Sequence, residues 1–460
     1  MRAGEFLKDN YWIIFILALS LLLRICYSSY NLIWWDSAVY IGMAKYIFSL
    51  GNSGFWEISR PLVLPLILGF FWKLGANPYV AGRILDVCFS LGCVFLTYLI
   101  GKEVFSKRIG LFAAFILSFT PTFFNNGSYL LTEICSTFFL LLGVFLFIKK
   151  RYFLAGIFCG ISFMTRFLQL FGFFALVLFS FFITKKYFLK RNLLLFTGFL
   201  VPIIPYLALN YVMHKDILLP FFHQIYMTAN TGFVWHEKLS FYFANMIKES
   251  MPAIFVIFFP FYYIKSKNAN KHIILLTLLA FAVFYLSVAH KEMRFLITLM
   301  PYLFILVGLG FFYITDKLSR ISRTAVIILV LSFFLLISIQ KYDAGKQDER
   351  YEPFWSYLER SDVNGKIWTT NPIFMLKSDK KADLIYYDVF GSRKIIELEQ
   401  RIKKPDSVLI DSCYDMTCYT DDNACPEMKE EFIKQLKTQF RVIFYENDNG
   451  CERMILSSVQ

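Results

Sequence analysis

LLTEICSTFFLLLGVFLFI, residues 130–148, is an apolar run with one carboxylate, Glu133, near its start and Lys149-Lys150-Arg151 directly after its end. As a helix rising 1.5 Å per residue it would extend about 28 Å, close to the ~30 Å hydrocarbon core of a bilayer. Working outward from this run, ten further apolar segments of similar kind are read at about 11–27, 77–100, 109–124, 152–166, 168–184, 193–213, 251–264, 272–289, 295–314 and 324–340. The chain is 57% hydrophobic and 19% aromatic, which excludes an ordinary soluble domain. The expected fold is therefore a polytopic α-helical membrane protein with about eleven transmembrane helices. No cleavable signal peptide is expected, because the first apolar run lacks a small-residue cleavage pattern.

Charge divides the chain in two. Residues 1–340 carry 29 Lys/Arg against 12 Asp/Glu, whereas residues 341–460 carry 18 against 22. The basic excess lies in short loops, as in Lys149-Lys150-Arg151, Lys185-Lys186 with Lys190-Arg191, and Lys317 with Arg320 and Arg323. These alternate loops hold two acids, Glu103 and Asp316. By the positive-inside rule they face the cytoplasm, which puts the N-terminus inside and residues 341–460 outside. Basic residues scattered over loops do not make a nucleic-acid surface, so no nucleic-acid partner is expected.

Two long outer loops follow from this topology, 28–76 and 214–250. The first holds Trp34-Trp35-Asp36-Ser37-Ala38-Val39-Tyr40 at the start of an amphipathic stretch from Ser37 to Leu50. It continues through Arg60-Pro61-Leu62 to Val63–Leu74, too short to span and suited to the interface, so juxtamembrane helices are expected here. In the second loop His214, His223, Trp235 and His236 suggest no definite element. From Lys341 onward strands are expected at Lys366–Thr370, Leu384–Val389, Ser407–Asp411, Arg441–Tyr445 and Arg453–Ser457, and helices at Pro353–Arg360 and Met428–Phe440. The resulting division is a catalytic membrane domain, 1–340, and an extracytoplasmic α/β domain, 341–460. Cys413, Cys418, Cys425 and Cys451 fall in the latter and suggest two disulfides of open pairing, since their spacings are not those of a zinc site.

Charged groups beside spans are costly and tend to be functional. On this topology Asp36, Arg60, Arg83, Glu133, Arg166 and the group His290-Lys291-Glu292-Met293-Arg294 all reach the outer end. Asp36 suits a general base that takes the proton of an attacking hydroxyl; the alternative is a helix N-cap. Glu133 could orient an acceptor, complement the dipole of its helix, or with Asp36 hold a divalent metal, for which no third ligand is visible. Arg83 and Asp86, three apart, could form an ion pair. Arg60, Arg166 and Arg294 match phosphate geometry, or snorkel to headgroups. Four ionisable groups in residues 290–294 are more than a turn between spans requires. Asn126-Gly127-Ser128 is a glycosylation triplet on the outer side.

In sum these motifs resemble the GT-C superfamily of polyprenyl-phosphate-sugar-dependent glycosyltransferases over about residues 20–310. Trp35-Asp36-Ser37-Ala38-Val39-Tyr40 with Ala44 is similar to its first-loop pattern, though Ser37 stands where many members have a second acid. Arg60-Pro61-Leu62, Leu131-Thr132-Glu133 and Met164-Thr165-Arg166 resemble later steps. His290-Lys291-Glu292-Met293-Arg294-Phe295 with Pro301 is similar to a signature of the mannosyltransferase branches. The resemblance implies inverting transfer of a mannose-like hexose from a polyprenyl- or dolichyl-phosphate donor to an extracytoplasmic glycan, lipid or protein. It makes Asp36 the base, with Glu133 in a second acidic role. Tyr40, Arg60, Arg83, Arg166, His290, Lys291, Glu292 and Arg294 become the candidate substrate-binding residues. No cofactor is assigned. The cell membrane, or an endoplasmic-reticulum-type membrane in a eukaryote, is the expected location. The rival reading is a transporter or flippase of lipid-linked sugars, which would show internal repeats and midplane polar helices; neither is found.

Overall fold

The computed structural model describes residues 3–27, 34–182, 188–230, 237–288, 290–342, 366–376, 378–384, 405–411, 418, 422–448 and 451–458. The helices run, in chain order, α1 Ala3–Cys26, α2 Trp35–Phe48, α3 Val63–Lys73, α4 Pro78–Val104, α5 Lys107–Phe119 and α6 Pro121–Asn126. They continue as α7 Thr132–Ile148, α8 Tyr152–Thr165, α9 Leu170–Phe182, α10 Phe188–His214, α11 Leu219–Asn230 and α12 Ser240–Glu249. The series ends with α13 Phe259–Lys265, α14 Lys271–Ser287, α15 Met300–Thr315, α16 Arg320–Ile339 and α17 Cys425–Gln439. Among the described residues α4, α10 and α16 are each long and apolar enough to cross a membrane. α12 and Met251–Lys265 qualify together but bend by 114°. Several other apolar helices are shorter, so the expected count of eleven spans is not established. The segment read at 251–264 is a 3-10 helix, Met251–Phe258, leading into α13.

Two compact units emerge. The first comprises Met1–Ser29, Arg83–Phe221 and Val234–Gly345; the second comprises Tyr30–Gly82, Phe222–Phe233 and Lys346–Gln460. In the first unit the tightest helix contact is α8 on α10. A Cβ on Gly156 would lie 2.1 Å from the Leu195 carbonyl oxygen, and one on Gly198 2.1 Å from that of Phe153. In an apolar solvent, where the hydrophobic effect gives helices no reason to associate, such close backbone approach supplies the dispersion contact that does. The two acids of the basic loops are both neutralised: Arg108 holds Asp316 through two bonds of 2.7 and 2.6 Å, and Lys149 reaches Glu103 at 2.7 Å.

The second unit joins the first-loop helices to a five-stranded sheet. Strands β1 Ile367–Thr369, β2 Ala382–Leu384, β3 Ser407–Asp411, β4 Phe440–Asp448 and β5 Cys451–Ser458 lie in the order β2-β1-β3-β5-β4. β1 pairs in parallel with β2 and β3, and β5 runs antiparallel to β3 and β4. α17 covers one face: Phe432 and Leu436 pack on Trp368, Val408, Ile410, Met454 and Leu456. That face follows from the period-2 alternation of β3 and β5 meeting an i, i+4 pair on α17. A disulfide links Cys418 to Cys425. Cys413 and the side chain of Cys451 lie outside the described residues, as do Pro353–Arg360 and the strand expected beyond Leu384. In the first loop α2 and α3 match the expected amphipathic segments and pack closely, a Cβ at Gly69 falling 2.9 Å from the Ala44 carbonyl oxygen.

Candidate active site

Each unit holds one ionic cluster built from expected site residues. In the second unit the cluster is built by α2 and the loop before α3. Helix α2 starts two residues earlier than expected, with Trp34 at the N-cap and Asp36 inside the first turn. The cap reading of Asp36 is thereby corrected: its carboxylate does not terminate the helix and is turned to a partner instead. Arg60 Nη2 meets Asp36 Oδ1 at 2.9 Å, Arg60 Nε meets Glu57 Oε1 at 2.9 Å, and Arg60 Nη1 donates to the Tyr40 hydroxyl at 3.3 Å. The guanidinium also lies 5.5 Å from the Tyr40 ring centre. Ser59 donates to Glu57 at 2.6 Å. The side chain of Glu57 is 1% exposed and that of Asp36 20%. One guanidinium thus bridges a buried carboxylate and an accessible one. His223 on α11 senses Glu57 electrostatically, while burial holds its pKa below the usual imidazole value. Pro61 ends this loop, and its neighbour Arg60 is kept out of helical geometry.

In the first unit the cluster is assembled from α7, the α8–α9 junction and the segment after α14. Glu133, in the first turn of α7, forms an ion pair with Arg166, and Arg294 Nε lies 3.7 Å from the same oxygen. Arg294 also binds Glu292, Nε to Oε2 at 2.7 Å and Nη2 to Oε1 at 2.9 Å, and His290 Nε2 lies 2.8 Å from Glu292 Oε1. The Phe295 ring sits under both guanidiniums, 5.3 Å from Arg166 and 5.7 Å from Arg294. Beneath them Gln169 donates to Ser136 at 2.8 Å and to Thr298 at 3.0 Å, tying the three segments together. Burial alone would raise the Glu292 pKa, but the His290 hydrogen bond and Arg294 outweigh it and hold the carboxyl below its usual value.

The expected residues therefore sort into two sets: Asp36, Tyr40 and Arg60 in one, and Glu133, Arg166, His290, Glu292 and Arg294 in the other. Lys291 is buried and donates to the Val288 carbonyl at 2.6 Å, finishing α14. Arg83 is buried on α4. Asp86 does not depend on it, accepting hydrogen bonds from the backbone of Leu130 and Leu131 with Arg24 as the opposite charge nearby. Asn126 of the glycosylation triplet is buried and donates to Thr122 at 2.8 Å, which leaves that amide unsuited to modification. Glu57 escaped the sequence reading; the Glu-x-x-Arg spacing to Arg60 was the available signal. Among the described residues no group of three or more His, Cys, Asp or Glu could hold a metal ion. The carboxylates of both clusters are already met by guanidiniums, a donor set that does not fit a divalent cation.

Residues 59–209 match the family model described as dolichyl-phosphate-mannose-protein mannosyltransferase. No curated protein matches the chain by sequence. Among solved structures it is similar to ArnT from Cupriavidus metallidurans bound to undecaprenyl phosphate, with TM-score 0.69 and 10% identity over 98% of each chain. It is also similar to the Archaeoglobus fulgidus oligosaccharyltransferase AglB in complex with an inhibitory peptide and a dolichol-phosphate, with TM-score 0.59 and 12% identity over 98% of this chain and 75% of that one. The mycobacterial arabinofuranosyltransferase AftD gives TM-score 0.57 and 9% identity over 98% of this chain and 40% of that one. None of these three is a transporter, and the flippase reading gains nothing from them. The chain thus shares its fold with these three structures, and residues 59–209 match the mannosyltransferase family model.

Proposed function

We propose that the chain transfers a hexose from a polyprenyl-phosphate donor to an acceptor hydroxyl on the non-cytoplasmic side, with inversion at the sugar carbon. The observation that carries this reading is the Asp36–Arg60–Glu57 bridge, which leaves the Asp36 side chain one-fifth exposed in a loop whose motifs resemble that superfamily. In the proposed step the acceptor oxygen attacks C1 of the sugar as Asp36 takes its proton. The bond from C1 to the phosphate oxygen breaks, and polyprenyl phosphate leaves with the electron pair. Charge grows on that phosphate as the bond stretches. Guanidiniums oriented before the reaction lower the barrier for such charge. Mannose is the favoured sugar, on the strength of the matched family's description and the His290–Phe295 motif.

The test uses the full-length protein in liposomes with polyprenyl-phosphate [14C]mannose on the outer leaflet and native membrane lipids and glycans as acceptor. The reading requires labelled product and released polyprenyl phosphate in equal amounts. Label that crosses the bilayer still attached to its lipid, with no new glycosidic bond, would replace it with transport.

A further inference from the structure

The second unit ties the helix carrying Asp36 to the edge of the C-terminal sheet, and a buried lysine makes the tie. Asp36 lies in the first turn of α2 and Lys45 in its last. Lys45 is 3% exposed; its ammonium donates to the Ser378 carbonyl at 2.9 Å and meets Asp379 Oδ1 at 2.9 Å. Asp379 itself is 67% exposed, so a surface carboxylate reaches inward to neutralise a buried charge. Burial pulls the Lys45 pKa down and Asp379 opposes the pull.

A second contact runs alongside. The Gly54 N–H donates to the Lys380 carbonyl at 2.9 Å, and the Ala382 N–H donates to the Gly54 carbonyl at 2.9 Å, a parallel bridge at the start of edge strand β2. Gly54 has φ +73°, and a Cβ there would stand 2.1 Å from the Gly42 carbonyl oxygen. The loop is thus pressed against the middle of α2 while it pairs with the sheet. Pro372–Leu376, just before this segment, also packs on α2.

A helix as short as α2 has little stability of its own in water, and its N-cap Trp34 provides no side-chain hydrogen bond. A buried ammonium is costly without its partner, whereas an apolar side chain would fill the same place more cheaply. What the ion pair supplies is one orientation. Lys45 lies about 13 Å along the helix axis from Asp36, too far to touch the reacting atoms. We propose that Lys45 is a positioning residue, which with Asp379 fixes α2 on the C-terminal domain and so sets the aim of the Asp36–Arg60 pair. The C-terminal domain is then a working part of the catalytic machinery. This inference rests on Asp36 being the base.

The test compares wild type with Asp379→Asn, Lys45→Met, Lys45→Arg and Asp36→Asn in full-length protein. It reads hydrogen–deuterium exchange over residues 35–55, and kcat and KM with polyprenyl-phosphate mannose. Asp379→Asn, at an exposed site, keeps the protein folded even where Lys45→Met does not. The expected result is exchange about tenfold faster in Asp379→Asn and Lys45→Met, kcat about tenfold lower, KM within twofold of wild type, and most of both losses recovered in Lys45→Arg. Unchanged exchange in Asp379→Asn removes the tie. Faster exchange with unchanged kcat, or a loss confined to KM, removes the positioning role. Full turnover by Asp36→Asn is a separate failure, that of the base, and leaves the exchange result to judge the tie.

Discussion

The two ionic clusters use the same chemistry with differently buried carboxylates. In the second unit Arg60 joins Asp36 and Glu57, all drawn from 25 consecutive residues, and Asp36 keeps one-fifth of its side chain in solvent. In the first unit Glu133, Arg166, Glu292 and Arg294 lie up to 161 residues apart in sequence, and the side chain of Glu133 is 4% exposed. A carboxylate that substrate can reach suits proton transfer. One sealed under two guanidiniums suits holding those guanidiniums still. The clusters should therefore respond differently to the loss of a single charge.

Removing Arg60 gives the largest expected effect, because it takes away the guanidinium that both carboxylates share. Arg60→Met should lower turnover about 10³-fold, within the range ascribed to acid–base groups, as Asp36 loses its orientation. It should also destabilise the loop, since the buried Glu57 loses the guanidinium bound to it. A variant with half of wild-type turnover would dissolve the contrast.

Glu133→Gln comes next and reports stability first. It leaves Arg166 and Arg294 without their shared anion, at a cost of about 3 kcal/mol for a buried pair broken on one side. Thermal unfolding in detergent should show a clear drop in midpoint, accompanied by lost turnover. If turnover vanishes while the midpoint holds, Glu133 belongs with the reacting groups and the division of labour is wrong.

Arg294→Lys is gentler. Lysine keeps the charge and loses the fork that grips Glu292, so KM for the lipid donor should rise about tenfold with kcat nearly kept. Equal loss in kcat alone would move Arg294 from donor binding to charge stabilisation in the transition state.

Acid sensitivity is the smallest effect. Glu292 is held below its usual pKa, so its contribution is complete above the unfolded value near 4.5 and is lost as pH falls through the lower folded value. Stability should therefore be level from pH 8 to about 5 in this respect and decline below about 4.5. In Glu292→Gln that acid-dependent part should be missing, which unfolding midpoints measured between pH 3.5 and 6 would reveal.

Much of the helical frame was legible because apolar runs of bilayer length leave few alternatives. α4, α7, α8 and α10 fall within a few residues of the expected segments. The strands around Val408 and Leu456 were legible as short apolar runs bounded by polar residues. What escaped was set by tertiary contact. Glu57 sits on a loop with no periodicity to expose it. The partner of Lys45 lies 334 positions away in sequence, and nothing about Asp379 points back to α2. The 3-10 helix Met251–Phe258 shows the same limit, since hydropathy reports an apolar segment and not the kind of helix it forms. The members of the two clusters other than Glu57 were named from the sequence as candidates, while the pairing of Arg60 with Asp36 and of Arg166 with Glu133 needed coordinates.

The most direct measurement is single-turnover sugar transfer by purified Asp36→Asn, with folding verified by its unfolding midpoint. The amide keeps the shape of the side chain and cannot take a proton, so the account predicts a wild-type midpoint and transfer at least 10³-fold slower. Transfer within tenfold of wild type by this folded variant would contradict it.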